Sequence, residues 1–138
     1  MAASNPGGAM AAEIDEEVNK FRQVQEDLNK TRNDLQIVMG QLAENEMVQQ
    51  ELNLLDVNAN IYKMVGPVLI KNTHEDAKDT VSKRLEFISS EKDRLEKKAK
   101  DLEEKGVAIS KKVQEMQMAL QQATAAAVKQ IQQQHAAS

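Results

Sequence analysis

The hydrophobic pattern divides the chain into two long helical segments with a short, different segment between them. From Ile14 onward, apolar residues recur at alternating spacings of four and three, which is the heptad repeat of a coiled coil. In the first segment the repeat runs through Ile14, Val18, Phe21, Gln25, Leu28, Arg32, Leu35, Met39 and Leu42. In the second it runs through Val81, Leu85, Ile88, Lys92, Leu95, Ala99, Leu102, Gly106, Ile109, Val113, Met116, Leu120, Ala123 and Ala127. The pattern predicts helices over residues 13–55 and 74–132.

Two local signals refine the second helix. Thr73 is followed three residues later by Asp76, which is a variant of the capping box, so we expect the helix to begin just after Thr73. Gly106 interrupts the repeat at a cost of roughly 1 kcal/mol relative to Ala in a helix interior. Gly106 therefore predicts either a bend or a close approach of two helices.

The segment between the helices contains the β-rich run of the chain. Gly66-Pro67 separates two short runs of β-branched, aromatic or apolar residues, which predicts a β-hairpin over residues 60–72. Alternation along the strands places apolar side chains on both faces, and a lone two-stranded hairpin is marginal in water. Either the flanking helices cover one face while Lys63 and Lys71 blunt the edges, or the strands pair with hairpins of other chains.

Because the connection is short, the two helices are expected to return alongside each other. The predicted fold is mostly α, a long antiparallel two-helix coiled coil with one β-hairpin at the connecting end. It forms a single domain over residues 13–132, and residues 1–12 and 133–138 are expected to be disordered.

At the end away from the hairpin, apolar residues from both helices are expected to lie near one another: Ile14, Val18, Phe21, Met116, Leu120, Val128 and Ile131. If the second helix is longer than the first, its last turns have no partner, and the exposed apolar surface could hold an apolar ligand. The alternative is that these are ordinary positions of the helix seam and that the tail frays.

Composition and charge exclude several classes of function. Aromatic residues make up only 2% of the chain, so the core is thin, and the absence of cysteine excludes disulfides and thiolate metal sites. The net charge of −4 and the mixed charges along both helices argue against nucleic acid as a partner. No secretory signal or apolar span is evident, so we expect a cytoplasmic protein without a membrane partner. His74 and His135 lack metal-binding spacing, and no nucleophile or phosphate loop appears, so we expect no enzyme activity and no cofactor.

Three stretches carry a resemblance to a known family: ELNLLD (residues 51–56), NIYKMVGPVLIKNT (residues 60–73) and VSKRLEFI (residues 81–88). Together they resemble the β-type subunits of prefoldin, and the likeness extends from Ile14 to about Leu120. The resemblance implies a heterohexamer of two α-type and four β-type subunits, in which the hairpins join into an intersubunit β-barrel and the coiled coils extend from it. The partners would then be two α-type and three further β-type subunits.

The resemblance also implies a function and a role for two groups of residues. Members of this family hold unfolded proteins, notably actin and tubulin, at the coiled-coil tips and pass them to the cytosolic chaperonin without using ATP. Subunit assembly would involve the hairpin residues Ile61, Tyr62, Met64, Val65, Gly66, Pro67, Val68, Leu69 and Ile70. Client binding would involve the tip residues Ile14, Val18, Phe21, Met116, Leu120, Val128 and Ile131.

Two other functions are compatible with the pattern. One is a structural coiled-coil tether or scaffold without chaperone activity, whose hairpin only reverses the chain and which would form a defined oligomer without partners. The other is an RNA-binding arm, which would need a basic face along the helices, and the mixed charges argue against it.

Overall fold

A computed structural model describes residues 6–137 of the chain. The elements in order are helix α1 (Pro6–Leu54), strand β1 (Ile61–Val65), strand β2 (Val68–Asn72) and helix α2 (His74–Ala137). The two strands pair antiparallel. This architecture confirms the predicted fold class of two long helices joined through one β-hairpin.

Both helices extend further than the sequence pattern predicted. Helix α1 begins at Pro6, so residues 6–12, which were expected to be disordered, are helical; residues 1–5 of the expected lead lie outside the described residues. Proline is well suited to the first helical position, and Ala9, Met10, Ala11 and Ala12 favour helix, although Gly7 and Gly8 before them do not. Helix α2 continues to Ala137 rather than ending at residue 132, because its Ala- and Gln-rich end also has high helix propensity. Ser138 lies outside the described residues.

The chain divides into two compact units, where the pattern had predicted one domain. The first unit consists of the described residues of Met1–Asn29 and Lys100–Ser138, and the second consists of Lys30–Ala99. Each unit has its own seam between a segment of α1 and a segment of α2, as the following contacts show.

In the first unit the two helical segments are antiparallel and approach closely. Glu17 contacts Lys112, whereas Val24, further along α1, lies beside Gly106, which is earlier in α2. A Cβ atom added at Gly106 would lie 3.6 Å from Val24 Cγ1 and 3.9 Å from Phe21 Cε2. Gln25 Nε2 would be the nearest side-chain atom, at 3.5 Å. These are ordinary van der Waals distances, so Gly106 lies at the contact between the two segments, and the contact would also accommodate a methyl group.

In the second unit the seam of α1 differs from the predicted repeat by one position. The pattern placed Arg32 and Met39 in the seam, but the structure leaves both exposed and places Thr31 and Val38 there instead. Thr31 is only 1% exposed. A repeat allows spacings of three or four, and burying the charged guanidinium of Arg32 would cost far more than burying a hydroxyl or a valine. The sequence prediction chose the wrong spacing at these two turns.

The predicted repeat of α2 is confirmed over most of its length. Every position of the repeat from Val81 to Leu120 is buried or half-buried. The last two positions, Ala123 and Ala127, are exposed. The part of the chain that the structure describes therefore leaves the end of α2 uncovered.

The hairpin has the register expected for a two-residue turn at Gly66-Pro67. Val65 pairs with Val68 at the turn, and Ile61 pairs with Asn72 at the open end. Gly66 has a φ of 57°, and the ring of Pro67 holds φ near −65°. A left-handed first residue followed by a proline fits a type II′ turn, which matches the twist of paired strands. The predicted hairpin is confirmed.

A small apolar core fixes the hairpin to the helices. Leu52, Ala77 and Val81 are buried together, and Ile61 and Leu85 pack against them. All five residues belong to the second unit. Ile61 is thus the hairpin residue that anchors the strands to the helix pair.

A histidine that the sequence analysis had dismissed connects the two helix ends. His74 Nε2 lies 2.6 Å from the carbonyl oxygen of Leu52. Since a carbonyl can only accept, the ring must carry a proton on Nε2, and it donates to a carbonyl in the last turn of α1. Such carbonyls lack a partner within their own helix. This contact joins the C-terminus of α1 to the N-terminus of α2.

The start of α2 is capped, but only half of the predicted capping box forms. The Asp76 N–H donates to Thr73 Oγ1 at 3.1 Å, as expected for an N-cap threonine. The Thr73 N–H donates to Asn72 Oδ1 at 3.0 Å rather than to Asp76. Asn72, the last residue of β2, therefore takes the second half of the capping role.

Replacing Gly106 by Ala is expected to stabilise the chain by about 1 kcal/mol, because Ala favours helix and its methyl group fits in van der Waals contact. Gly40→Ala is the matched control, since Gly40 also lies inside a helix and nothing lies within 4 Å of its added Cβ. The free energy of unfolding from urea denaturation measures both. A loss of stability for Gly106→Ala alongside a gain for Gly40→Ala would contradict the packing described here.

Candidate functional site

The hairpin presents an apolar surface that the rest of the described chain leaves uncovered. Six of its apolar residues are between 49% and 73% exposed: Tyr62, Met64, Val65, Val68, Leu69 and Ile70. Contiguous apolar patches of this kind mark interaction sites on soluble proteins. We refer to these six residues as the hairpin surface.

The hairpin surface includes both faces of the sheet. On one face Met64 lies opposite Leu69, and Tyr62 lies opposite Lys71. On the other face Val65 lies opposite Val68, and both remain about half exposed. The explanation in which the flanking helices cover one face therefore holds only at Ile61, where the strand meets the helix core.

The edges of the sheet are also available. Within the described residues the sheet contains two strands, so each has one edge without a strand partner. Backbone N–H and C=O groups on such an edge can pair with a strand of another chain. Lys63 and Lys71 are exposed beside these edges and disfavour indiscriminate pairing.

A groove extends the hairpin surface onto the helices of the same unit. Its hairpin side is formed by residues 61–64 of β1 and by Asn72. Its helix side is formed by Val48, Leu52, Ala77, Thr80, Val81 and Arg84. We call it the β1 groove; a segment seated beside β1 would contact apolar side chains from both helices.

The predicted tip residues, all in the first unit, fall into two groups. Ile14 is buried and Val18, Phe21, Met116 and Leu120 are half-buried, so these five occupy seam positions. Val128 and Ile131 are about half exposed. They are three residues apart and therefore share one face of α2. The structure supports the seam interpretation for the first group and leaves an exposed apolar face at the second.

Beyond Leu120, α2 has no cover from the described part of the chain. Every residue from Gln121 to Ala137 is exposed. Helical segments of this length are marginal in water without packing, so this end of α2 is adaptable. That property suits a surface that contacts varied apolar segments.

A buried carboxylate in the first unit ties α1 to α2 between the seam residues. Glu17 is 7% exposed, and its Oε1 accepts hydrogen bonds from Lys112 Nζ and Lys20 Nζ, each at 3.1 Å. The hydrogen bond from Lys112, followed by that from Lys20, lowers the pKa of Glu17 below its ordinary value. The sequence analysis missed this site, although Glu17 lies three residues after Ile14 and so faces the seam.

The described residues hold neither a candidate metal cluster nor a candidate membrane span. Residues 6–137 contain no cluster of three or more His, Cys, Asp or Glu side chains that could hold a metal ion. Among the same residues, no helix combines the length and apolar character needed to cross a membrane.

The chain has two long helices joined by an exposed β-hairpin, and proteins of known family share this architecture. Residues 15–123 match the prefoldin subunit family, and the chain belongs to this family. Membership supports a chaperone-type role within a prefoldin complex, together with other prefoldin subunits.

Individual relatives are prefoldin subunits of one kind. The chain is 39% identical over 110 residues to prefoldin subunit 6 of Bos taurus, an overlap of 80% of this chain and 85% of that protein. The same figures hold for prefoldin subunit 6 of Homo sapiens. A probable prefoldin subunit 6 of Caenorhabditis elegans is 38% identical over 116 residues, covering 84% of this chain and 92% of that protein.

Solved structures agree on the fold. The prefoldin beta subunit from Thermococcus strain KS-1 superposes with a TM-score of 0.72 at 23% identity, covering 75% of this chain and 90% of that chain. The beta2 subunit of the same strain gives a TM-score of 0.59 at 20% identity, covering 67% and 98%. At such identities the likeness establishes the fold alone.

The lowered pKa of Glu17 predicts a pH-dependent contribution to stability. A depressed carboxyl pKa stabilises the fold above the ordinary value of 4.5, and the contribution is lost as the pH falls through the lower folded value. Lys112→Met removes the main cause, so the variant is expected to be less stable than wild type at pH 7, and the difference is expected to shrink as the pH falls below 4.5 and through the lowered pKa of Glu17.

The matched control is Lys111→Met, which removes a neighbouring exposed lysine that forms no ion pair with Glu17. Thermal unfolding followed by circular dichroism from pH 7 to pH 3 measures all three proteins. A constant difference between wild type and Lys112→Met across this range would refute the assignment.

Proposed function

We propose that this chain is a β-type subunit of a heterohexameric prefoldin complex of two α-type and four β-type subunits. Its hairpin contributes strands β1 and β2 to an intersubunit β-barrel. The observation that carries the proposal is the hairpin surface, which is apolar on both faces and has two free edges among the described residues.

The energetics favour burial of this surface by several neighbouring chains. Full burial of a large apolar side chain contributes about 1.5–3 kcal/mol, so six half-exposed residues would contribute on the order of 5–9 kcal/mol. Association costs roughly 4–15 kcal/mol in lost freedom of motion. Side-chain burial at the hairpin is therefore marginal by itself, and backbone pairing at the strand edges is needed to complete the interface.

We further propose that the complex holds unfolded polypeptides, such as actin and tubulin, in the cytoplasm and transfers them to the cytosolic chaperonin. The client-binding residues are those of the predicted tip. Val128 and Ile131, being exposed, make the first contacts. The half-buried Val18, Phe21, Met116 and Leu120 and the buried Ile14 contribute from seam positions. No catalytic step and no ATP are assigned to this chain.

Weak binding of an unfolded client by each single subunit suits a complex that must hold the client and then release it. Burying the exposed halves of Val128 and Ile131 contributes only about 1.5–3 kcal/mol, which corresponds to very weak binding at a single site. Several subunits on one complex raise the effective concentration and strengthen the hold on one client. The client remains releasable because each contact opens easily.

A double substitution on the outer hairpin face tests the assembly role. Met64→Lys with Leu69→Lys places two charges on directly opposed residues and is expected to prevent incorporation into the complex, because buried unpaired charges are costly. The helical content of the purified chain should stay unchanged, since neither side chain belongs to its core. Co-purification with partner subunits is the measurement.

The control for this variant is Val57→Lys, which charges an equally exposed apolar residue outside the strands. Incorporation should be normal for Val57→Lys. Normal incorporation of Met64→Lys with Leu69→Lys into the complex would contradict the assembly proposal.

A second double substitution tests client binding. Val128→Ser with Ile131→Ser is expected to weaken binding of unfolded actin by the assembled complex about tenfold, because the lost apolar contact corresponds to roughly 1.4 kcal/mol or more. Gln130→Ser with Gln133→Ser is the control, which lowers helix propensity in the same segment without removing apolar surface. The affinity of the complex for fluorescently labelled, denatured actin measures the effect, and equal affinities for both variants would contradict the proposal.

A further inference from the structure

A second apolar surface lies on the helices of the second unit. It is lined by Gln41, Thr80, Lys83, Arg84, Phe87 and Ile88, and we call it the helix flank. Phe87 is 68% exposed, although it is one of only three aromatic residues in the chain. Exposed aromatic rings are enriched at protein interfaces, where they supply a large apolar area.

The helix flank also contains a cationic side chain, that of Arg84, without an ion pair among the described residues. Lys83 pairs with Asp79 at 3.3 Å, and Arg94, further along α2, pairs with Glu91 at 2.9 Å. Arg84 has no ion pair or side-chain hydrogen bond within the part of the chain that the structure describes. A guanidinium next to apolar surface is a strong and geometrically specific site for a carboxylate.

The helix flank is continuous with the β1 groove. Thr80 and Arg84 line both, so the two surfaces meet at these residues. A chain that binds beside β1 and continues along this surface would contact Arg84 and then Phe87. Both residues belong to VSKRLEFI (residues 81–88), the helical stretch that resembles the prefoldin family. Neither is among the proposed assembly or client-binding residues.

We propose that the neighbouring subunit of the prefoldin complex docks along the helix flank, placing a carboxylate on Arg84 and an apolar side chain against Phe87. The inference rests on the proposed assembly through the hairpin and extends that interface onto the helices. A neighbouring subunit is the occupant because the helix flank continues the groove beside β1 and because the hairpin surface alone gives a marginal interface. Arg84 further specifies an acidic residue on that neighbour.

Charge and size substitutions in the reconstituted complex test the inference. Arg84→Glu and Phe87→Ala are each expected to assemble at high concentration but to dissociate at a subunit concentration about tenfold higher than wild type, as measured by native mass spectrometry on dilution. Lys97→Glu and Met47→Ala are the controls, because they make similar changes at exposed positions outside the β1 groove and the helix flank. Wild-type dissociation for the first pair would overturn the inference.

Photocrosslinking identifies the occupant. Phe87 is replaced by p-benzoylphenylalanine, and the complex is irradiated with and without unfolded actin. Crosslinks to a prefoldin subunit in the absence of actin support the inference. Crosslinks only to added actin, or none at all, would overturn it and assign the helix flank to a client or to no partner.

The hairpin variant Met64→Lys with Leu69→Lys, measured in parallel, separates the two proposals. If it fails to assemble while Arg84→Glu and Phe87→Ala assemble as wild type does, hairpin assembly stands and the helix flank is rejected. If the hairpin variant assembles normally, the proposed hairpin role fails, and the dilution and crosslinking results for Arg84 and Phe87 still decide the helix flank on their own.

Discussion

A two-stranded β-hairpin buries too little apolar surface to be stable in water unless something packs on it. Within residues 6–137 the flanking helices supply that packing at Ile61, which meets Leu52, Ala77 and Val81. The residues nearer the turn stay about half exposed on both faces. This imbalance is the constraint on which the proposed function depends, because the described part of the chain does not cover these strand residues and the proposed assembly with other subunits would.

The helices are suited to present the hairpin rather than to enclose a core. Their seams contain a glycine, a threonine and a carboxylate at buried positions, Gly106, Thr31 and Glu17, where a globular protein would use larger apolar residues. Gly106 lies where the segments of the first unit meet, and Glu17 joins them through Lys112. Such seams hold the paired helical segments together, while Val128 and Ile131 on α2 remain about half exposed.

The periodicity of apolar residues was sufficient to predict both helices, and the β-rich runs on either side of Gly66-Pro67 were sufficient to predict the hairpin and its turn, because these features depend on local sequence. It failed where the choice depended on tertiary contacts. Spacings of three and four were equally allowed at Thr31 and Val38, and only the cost of burying Arg32 decides between them. The contact of His74 with the Leu52 carbonyl joins residues 22 apart, and no local pattern signals it. For the tip residues, the pattern predicted a group of apolar side chains near one another, but it did not separate the seam positions from the exposed ones.

The most direct test of the central claim is the native mass and subunit composition of whatever co-purifies with this chain from a cell extract, compared with the chain alone. We expect a complex of six subunits containing several different prefoldin chains, and no such defined assembly for the chain by itself. A homodimer of the same mass in both samples would show that the hairpin needs no strands from other chains, and the chain would then act as a coiled-coil tether.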